Sequence, residues 1–564
     1  MFPALAAVLL LSSGCSGTST QGKSAGDPDV VLADPYGTTY EIFVGSFADS
    51  NGDGIGDLNG ILENLDYLND GDPATREDLG VNALWLTPVF PSPTYHKYDA
   101  TDYYAIDPAF GTLADYDALV SACHERGVRL YLDLAVNHTS VEHPWFTEAA
   151  AYLGTLPSGQ DPDPAACPYV DYYVFSREQQ TGYEPLGGTE WYYEARFWSG
   201  MPDLNLDSEA VRNELRNILG FWLDRGADGF RLDAMTSYYT DDHARSEEFL
   251  TWIAETVHQK KPGSYLVGEA WENQDAYAVF YKSGIDSLFD FAFAGQEGVI
   301  AQAVRSGKNG RRYVDRMIEE EELYASMSGR YINAPFYTNH DMARSYGYYA
   351  KDTQNRVKLA MALNLLQTGN AFVYYGEELG MRGSGKDENK RAPFPWKDAA
   401  VQGAEGEADA GAAEGTAGGA DGGYLCAGPA DMESFDYKPC GTLEEQKKDE
   451  QSVYNFCREM IHLRARHPLI ARGRTVLPSE TVIAAAELER CPQIALFIRQ
   501  DSADPSKQLL IAVNTGAEQQ EIGLLQDQGH AWSLSESLTT GTDHAELDKG
   551  GTLRLPGYAI AVLE

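Results

Sequence analysis

Two acidic residues, Asp233 and Glu269, each end a short apolar run, in Gly229-Phe230-Arg231-Leu232-Asp233 and Val267-Gly268-Glu269-Ala270-Trp271. Two segments of the same kind flank them in the chain, Asp133-Leu134-Ala135-Val136-Asn137-His138 and Asn339-His340-Asp341. Each would deliver polar groups at the C-terminal end of a strand. Breaking a glycosidic bond needs one carboxyl that keeps its proton near neutral pH and one that stays ionised. Residues two apart on a strand share a face, so the Arg231 guanidinium would keep Asp233 charged and oriented, as a nucleophile requires. Glu269, between Tyr265-Leu266-Val267 and Trp271, has the partly desolvated setting that raises a carboxyl pKa, as a general acid requires. An ordinary strand-end ion pair explains either residue alone. Four such segments in this order point to a glycosidase. Asn137-His138 and Asn339-His340-Asp341 could bind sugar hydroxyls or steady developing charge. The structural alternatives are a His packed beneath a loop and an Asp that serves only as its partner.

The elements that must position these groups are legible from Thr39 to about Leu463, where β-branched or aromatic runs alternate with longer amphipathic stretches. The predicted strands are Tyr40–Val44, Ala83–Leu86, Val128–Leu134, Gly229–Leu232, Ser264–Val267, Leu288–Asp290, Ile332–Tyr337 and Ala371–Tyr375. The predicted helices are Leu58–Leu68, Tyr116–Arg126, Ser208–Arg225, Ser246–Lys260, Thr353–Gln367 and Gln451–Arg464, with further helix expected around Gln296–Leu323. Eight parallel strands with chemistry at their C-terminal ends describe a (β/α)8 TIM barrel. Two insertions interrupt it. Thr139–Asp207 is rich in Tyr, Trp, Pro and Gly and reads as an excursion subdomain. Lys397–Glu450 contains the Gly/Ala/acidic tract Gly403–Gly423, too poor in large apolar side chains to pack and expected to be a mobile loop. After Ala471, runs at Thr481–Leu488, Ile494–Ile498, Leu509–Val513 and Thr552–Val562 predict an antiparallel β domain.

Length, charge and cysteines bound the reading. The 564 residues exceed a prior of about 150 per domain. The 43 basic and 85 acidic residues give a formal charge of −42, which argues against nucleic acid or an anionic membrane as partner and suits a neutral substrate or bound cations. A highly solvated surface accounts for most of that charge. The stretch from Phe2 to Leu11, followed by Ser12-Ser13-Gly14-Cys15, fits a signal-peptide core and resembles a bacterial lipoprotein signal whose cysteine becomes lipidated. No Lys or Arg precedes it, and position 12 is Ser where that motif usually carries an aliphatic residue. Export, a tether over residues 16–35, and membrane attachment only through such a lipid are expected. The remaining cysteines, Cys123, Cys167, Cys426, Cys440, Cys457 and Cys491, allow disulfides, Cys426 with Cys440 being the simplest pairing because both flank one loop. No CxxC spacing supports zinc or a redox motif.

In order and along the whole barrel, these segments resemble the α-amylase family of glycoside hydrolases. The resemblance extends to Gly80–Pro88, Tyr98–Pro108, Gly376–Gly380 and Asp387–Trp396. It implies a barrel over 36–138 and 208–470, the latter carrying the flexible insertion 397–450. It also implies an inserted domain B over 139–207, a C-terminal β-sandwich over 471–564 and a retaining mechanism. By position, Asp233 matches the nucleophile and Glu269 the acid/base. Asp341 matches the third carboxylate, which binds substrate hydroxyls, and Arg231 the arginine beside the nucleophile. His138 and His340 match the histidines that contact the sugar at the cleavage site, Tyr98 the aromatic platform beneath it, and Asp133 a supporting carboxylate. Met201-Pro202-Asp203-Leu204-Asn205 combines marks of α-1,6-glucosidase-like and neopullulanase-like members, a mixture similar to bacterial α-amylases of intermediate type.

Calcium is the expected cofactor. Asp49-Ser50-Asn51-Gly52-Asp53-Gly54-Ile55-Gly56-Asp57 alternates oxygen donors with small residues, so one tight loop could supply several ligands to a hard cation. It follows the early EF-hand pattern without a Glu at the twelfth position, where Gly60 stands; a plain Asn/Gly/Asp turn is the alternative. Related enzymes carry calcium after the first strand, which implies Asp49, Asn51, Asp53, Asp57 and the Ile55 carbonyl as ligands. Asn137 and Asp203 match a second calcium position between barrel and domain B. Enzymes with that calcium usually carry Lys-His after the nucleophile, where Thr236-Ser237 stand here. The reading is therefore a monomeric, exported α-amylase that cuts internal α-1,4 bonds of starch-like α-glucans and maltooligosaccharides. Its rivals are an α-glucosidase or oligo-1,6-glucosidase, a neopullulanase, a glucanotransferase and, more remotely, a non-catalytic glucan-binding protein.

Overall fold

The computed structural model describes residues 34–240, 242–398, 425–525 and 532–564. The expected signal with Cys15, nearly all of the expected tether and the Gly403–Gly423 tract lie outside the described residues. Seven parallel strands form one sheet in the spatial order Ala371–Tyr374, Thr38–Ile42, Ala83–Leu86, Arg129–Leu134, Gly229–Leu232, Tyr265–Gly268, Ser287–Leu288. Its open edges are joined by the predicted strand Ile332–Tyr337, in which Ala334 pairs in parallel with Phe289 and Phe336 with Phe372. That segment closes the ring through isolated bridges in place of a full ladder. Pro335, between them, accepts the Phe372 N–H at 2.7 Å but has no N–H to return. The result is the expected (β/α)8 barrel.

Alternation along each strand explains why both faces are buried. Trp85, Tyr131, Tyr265, Val267, Phe289, Phe336 and Phe372 fill the barrel interior. Leu84, Leu86, Leu130, Leu132, Phe230, Leu232 and Leu266 belong to the larger core shared with the surrounding helices. Side-chain caps start those helices where the sequence supplies them: Thr112 and Asp115 form a reciprocal box ahead of Leu113–Glu125, and Ser208 accepts from the Val211 N–H ahead of Glu209–Asp224. The expected helix Leu58–Leu68 is instead two, Leu58–Glu63 and Leu65–Leu68. Asn64 divides them, because its side-chain amide donates to the Gly60 carbonyl at 2.8 Å in competition with the backbone ladder.

The excursion after the third strand holds a helix, Pro144–Thr155, and a three-stranded antiparallel sheet of Phe175–Ser176, Tyr192–Glu194 and Tyr183–Pro185, with a small core around Leu153, Val170 and Trp191. Its two ends are tied together where His138 pairs with Asp203 and the Leu204 N–H donates to the Asn137 carbonyl at 2.8 Å. Past the barrel lie a five-stranded and a three-stranded antiparallel sheet, with a second core that includes Leu496, Leu510, Leu553 and Leu563. The expected run Thr481–Leu488 is not a strand. Ile483 makes one bridge to Leu524, and Ala485–Arg490 is a helix, in keeping with the helix-forming Ala-Ala-Glu-Leu-Glu-Arg sequence. The Cys426–Cys440 pairing is also corrected, since all six described cysteines are free. Cys426 lies under the field of Asp49, Asp57 and Asp53, whereas Cys440 Sγ packs beside Gly380 and Val453.

Candidate active site

The C-terminal mouth of the barrel brings Asp133, Arg231, Asp233, Glu269, His340 and Asp341 together. Arg231, fully buried, is their hub. Its Nη1 lies 2.8 Å from Asp133 Oδ1 and 2.7 Å from Asp233 Oδ1, and its Nη2 lies 2.9 Å from Glu269 Oε2. The two expected catalytic carboxyls are thus bound to the two terminal nitrogens of one guanidinium. The backbone ties them a second time: the Ala234 N–H donates to Glu269 Oε2 at 3.1 Å, and the Met235 N–H to the Glu269 carbonyl at 3.0 Å. This turn puts Ala234 in the left-handed region (φ 42°, ψ 45°), a conformation that costs a non-glycine residue about 1–3 kcal/mol. Gly229 opens the same strand because a Cβ there would lie 1.8 Å from the Tyr265 carbonyl oxygen.

Burial dominates the electrostatics. It pushes Asp233 up to about 6; Arg231 opposes the rise, and Asp133 and Asp341 add to it. Glu269 is likewise raised by burial, against Arg231 and with the help of the Asp233 and Asp341 charges. Burial by itself would lower His340, yet Asp341 and Glu41 hold it at about 10, so it is an imidazolium at neutral pH. Its Nδ1 lies 2.5 Å from Glu41 Oε1 and its Nε2 3.1 Å from Asp341 Oδ2. Burial would raise Asp341, but His340, then Arg391 and Arg231, take it well below the usual carboxylate range.

Tyr98 lies nearly parallel to the His340 ring, with centroids 5.6 Å apart and a 15° tilt, and its hydroxyl donates to Asp133 Oδ2 at 2.9 Å. His138 is buried beside Phe197, held neutral by burial with its pKa down at about 4, and neither ring nitrogen has a well-formed hydrogen bond to the described residues. Three large rings stand exposed: Phe197 next to His138, Trp198 following it in the chain, and Trp271, two residues past Glu269, against Phe291.

The structure therefore gathers Tyr98, Asp133, Arg231, Asp233, Glu269, His340 and Asp341 into one network, with His138 on the excursion side. Sequence reading missed Glu41, although a lone acid inside Tyr40-Glu41-Ile42 was the available signal. It also left Arg391 without a role inside a matched motif; Arg391 Nη2 lies 2.8 Å from Asp341 Oδ1.

The acidic loop folds on itself. Asp49 Oδ1 accepts the Asn51 and Gly52 N–H groups and Oδ2 that of Gly54, Asp53 accepts from the Ile55 N–H, and Asp57 caps the next helix at the Gly60 N–H. Asn137 Nδ2 donates to Asp203 Oδ1 at 3.1 Å, and burial raises Asp203 to about 7. Among the described residues no group of three or more His, Cys, Asp or Glu side chains is already arranged around a metal position. Carboxylate and carbonyl oxygens on the Asp49–Asp57 loop are nonetheless the donor type calcium takes, and the Asp49, Asp57 and Asp53 charges add to burial in raising the Cys426 thiol.

Residues 41–473 match the alpha amylase catalytic domain. The chain belongs to the α-amylase family. It is 40% identical over 367 residues to alpha-amylase 3 of Dictyoglomus thermophilum, a match covering 64% of this chain and 67% of that protein. It is 34% identical to trehalose-6-phosphate hydrolase of Bacillus subtilis, over 61% and 64% of the two chains. Among solved structures, Amy13B of Eubacterium rectale superposes with a TM-score of 0.83 at 40% identity, covering 95% of this chain and 96% of that one. The alpha-amylase from H. orenii gives 0.75 at 33%, over 94% and 100%. Membership makes this α-amylase-family protein a glycoside hydrolase with an oligosaccharide substrate.

Proposed function

We propose that the protein is a retaining α-glucan hydrolase that cuts internal α-1,4-glucosidic bonds in starch-like polymers and maltooligosaccharides. The observation that carries this reading is Arg231 binding Asp233 and Glu269 at 2.7 and 2.9 Å on adjacent nitrogens. Asp233 attacks the anomeric carbon while Glu269 gives its proton to the departing glycosidic oxygen, so a glycosyl–Asp233 ester forms as the C–O bond breaks. Water then attacks the same carbon, Glu269 takes its proton, and the Asp233 carboxylate leaves. Asp341 binds hydroxyls of the distorted sugar, His340 and His138 contact the same ring, and Tyr98 lies beneath it.

Protonation states follow from the site's charges. Burial raises Glu269, and the Asp233 and Asp341 charges add to that rise, so the proton is favoured on Glu269. The profile of kcat/KM against pH is expected to be a bell. Its acid limb falls as pH drops below about 6, where Asp233 takes up a proton, and its basic limb falls as pH rises through the raised pKa of Glu269. The limbs belong to the coupled pair. A flat profile from pH 4 to 9 would contradict the assignment.

Action on a polymer is supported by the exposed rings of Phe197, Trp198 and Trp271 around the mouth, which suit stacking against successive sugars, and by similarity to α-amylases. The competing reading, a glucosidase of short chains, draws on the 34% identity to the B. subtilis trehalose-6-phosphate hydrolase and 32% to the Parageobacillus thermoglucosidasius oligo-1,6-glucosidase. A product time course on soluble starch, pullulan and maltotriose separates them. Rapid loss of iodine-staining polymer with mixed oligosaccharides supports internal cleavage; glucose released singly from the outset overturns it.

The Asp49–Asp57 loop is proposed to hold calcium through Asp49, Asn51, Asp53, Asp57 and the Ile55 carbonyl, bracing the first βα connection. Chelation is then expected to lower the thermal midpoint, with calcium restoring it in wild type but not in Asp49→Ala. An unchanged midpoint on chelation removes this part of the account. Asn137 and Asp203 remain a second proposed position. Export is proposed from the apolar run that ends at Cys15; among the described residues no helix is long and apolar enough to cross a membrane.

A further inference from the structure

We propose that Arg391 is a positioning residue for Asp341, and that the segment Asp387–Arg391 is a strap whose C-terminal end grips that carboxylate. The inference rests on the reading of Asp341 as the third carboxylate of a glycosidase. Three nitrogens of Arg391 are each committed: Nη2 to Asp341 Oδ1 at 2.8 Å, Nη1 to the Tyr95 hydroxyl at 2.8 Å, and Nε to the His340 carbonyl at 3.2 Å. The guanidinium also lies over the rings of Phe43 and Tyr95, 5.5 and 5.4 Å from their centroids. Arg391 is 3% exposed, whereas the Asp341 side chain is 32% exposed. The cation is fixed, and the carboxylate it holds is reachable by substrate.

The neighbouring residue acts on the same target. Lys390 Nζ donates to the Asp341 backbone carbonyl at 2.8 Å and to Asp387 Oδ1 at 2.7 Å. Two consecutive cations therefore hold the main chain and the side chain of one aspartate. The strap is itself anchored, since the Lys390 carbonyl accepts from Arg344 Nε at 2.9 Å and from the Tyr374 hydroxyl at 3.1 Å. This connection, which follows the last barrel strand, reaches across to Asn339-His340-Asp341 and fixes it. A carboxylate that must meet a distorted sugar loses much of its effect when displaced by about 1 Å, and a planar guanidinium with three directed bonds prevents that displacement.

The charged and titratable groups acting on Asp341 are His340, Arg391, Arg231, Asp233 and Glu269, with Tyr98 and His96 also within its field. Removing Arg391 takes away one of three cations that keep Asp341 ionised. Its ionised form is then lost at a higher pH than in wild type.

The test compares wild type, Arg391→Gln, Arg391→Lys, Tyr95→Phe, Asp341→Asn and the Asp341→Asn/Arg391→Gln double variant on an aryl α-maltoside, with melting temperatures alongside. Arg391→Gln is expected to lower kcat by about 10²-fold with a smaller change in KM. Arg391→Lys restores part of kcat. Tyr95→Phe, which frees Nη1 without touching Asp341, gives the same signature at reduced size and covers the case in which Arg391→Gln does not fold. In the Asp341→Asn background, Arg391→Gln is expected to add little. The proposal is overturned by unchanged kcat in Arg391→Gln or Tyr95→Phe, by a loss lying wholly in KM, or by fully multiplicative losses in the double variant. An inactive wild type would instead indict the glycosidase reading itself.

Discussion

Asp233→Asn is expected to lower kcat/KM by about 10⁴-fold or more, through kcat, while leaving the fold and α-glucan binding intact. Asparagine keeps the shape of the side chain but cannot form a stable glycosyl ester. The surroundings tolerate the change because Arg231 retains Asp133 at 2.8 Å as a counter-charge and keeps its 2.9 Å contact with Glu269. The measurement is steady-state hydrolysis of soluble starch beside circular dichroism and glucan-affinity electrophoresis. Retained turnover would remove Asp233 from the chemistry. Lost turnover with retained affinity excludes the remaining possibility of a barrel that only binds glucan.

Glu269→Gln has the second largest expected effect, with a different signature. General acid–base catalysis contributes about 10²–10⁴-fold, and glutamine removes both the proton given to the leaving oxygen and the base that activates water. The loss therefore depends on the leaving group. Starch, whose leaving hydroxyl needs the proton, suffers the full loss. An α-glycosyl fluoride or nitrophenyl glycoside keeps a fast first step and releases its leaving group in a burst before hydrolysis stalls. The basic limb of the pH profile, carried by the raised Glu269 carboxyl, also disappears. A loss of equal size on both substrate types would mean that Glu269 is not the proton donor.

What the sequence revealed and what it hid have physical causes. Strands of this barrel are buried on both faces, so Ala83–Leu86 and Gly229–Leu232 appear as bounded apolar runs and were predicted with their observed limits. Ile332–Tyr337 read equally well as a strand, yet it pairs only through bridges at Ala334 and Phe336, because Pro335 cannot donate. Thr481–Leu488 misled because apolar content alone does not distinguish a strand from the short helix that its Ala and Glu residues prefer. At the site, Arg231 and Asp233 were legible from two-residue strand periodicity. The contact of Arg231 with Glu269 was not, because it crosses between two neighbouring strands whose pairing and register the spacing along one strand does not give. Glu41 escaped for the same reason: its partner His340 lies 299 positions away. The pairing of Cys426 with Cys440 failed because nearness in sequence says nothing about which way two thiols face.

The account's central claim is that the Asp233 carboxylate becomes covalently bound to the anomeric carbon. Incubation with a 5-fluoro-α-glucosyl fluoride, whose ester intermediate breaks down slowly, followed by peptide mass mapping, tests it most directly. The account predicts one added fluoroglucosyl group per protein, on the peptide containing Phe230-Arg231-Leu232-Asp233, with no such label in Asp233→Asn. A label on any other residue, or turnover to an inverted anomer with no trapped ester, contradicts it.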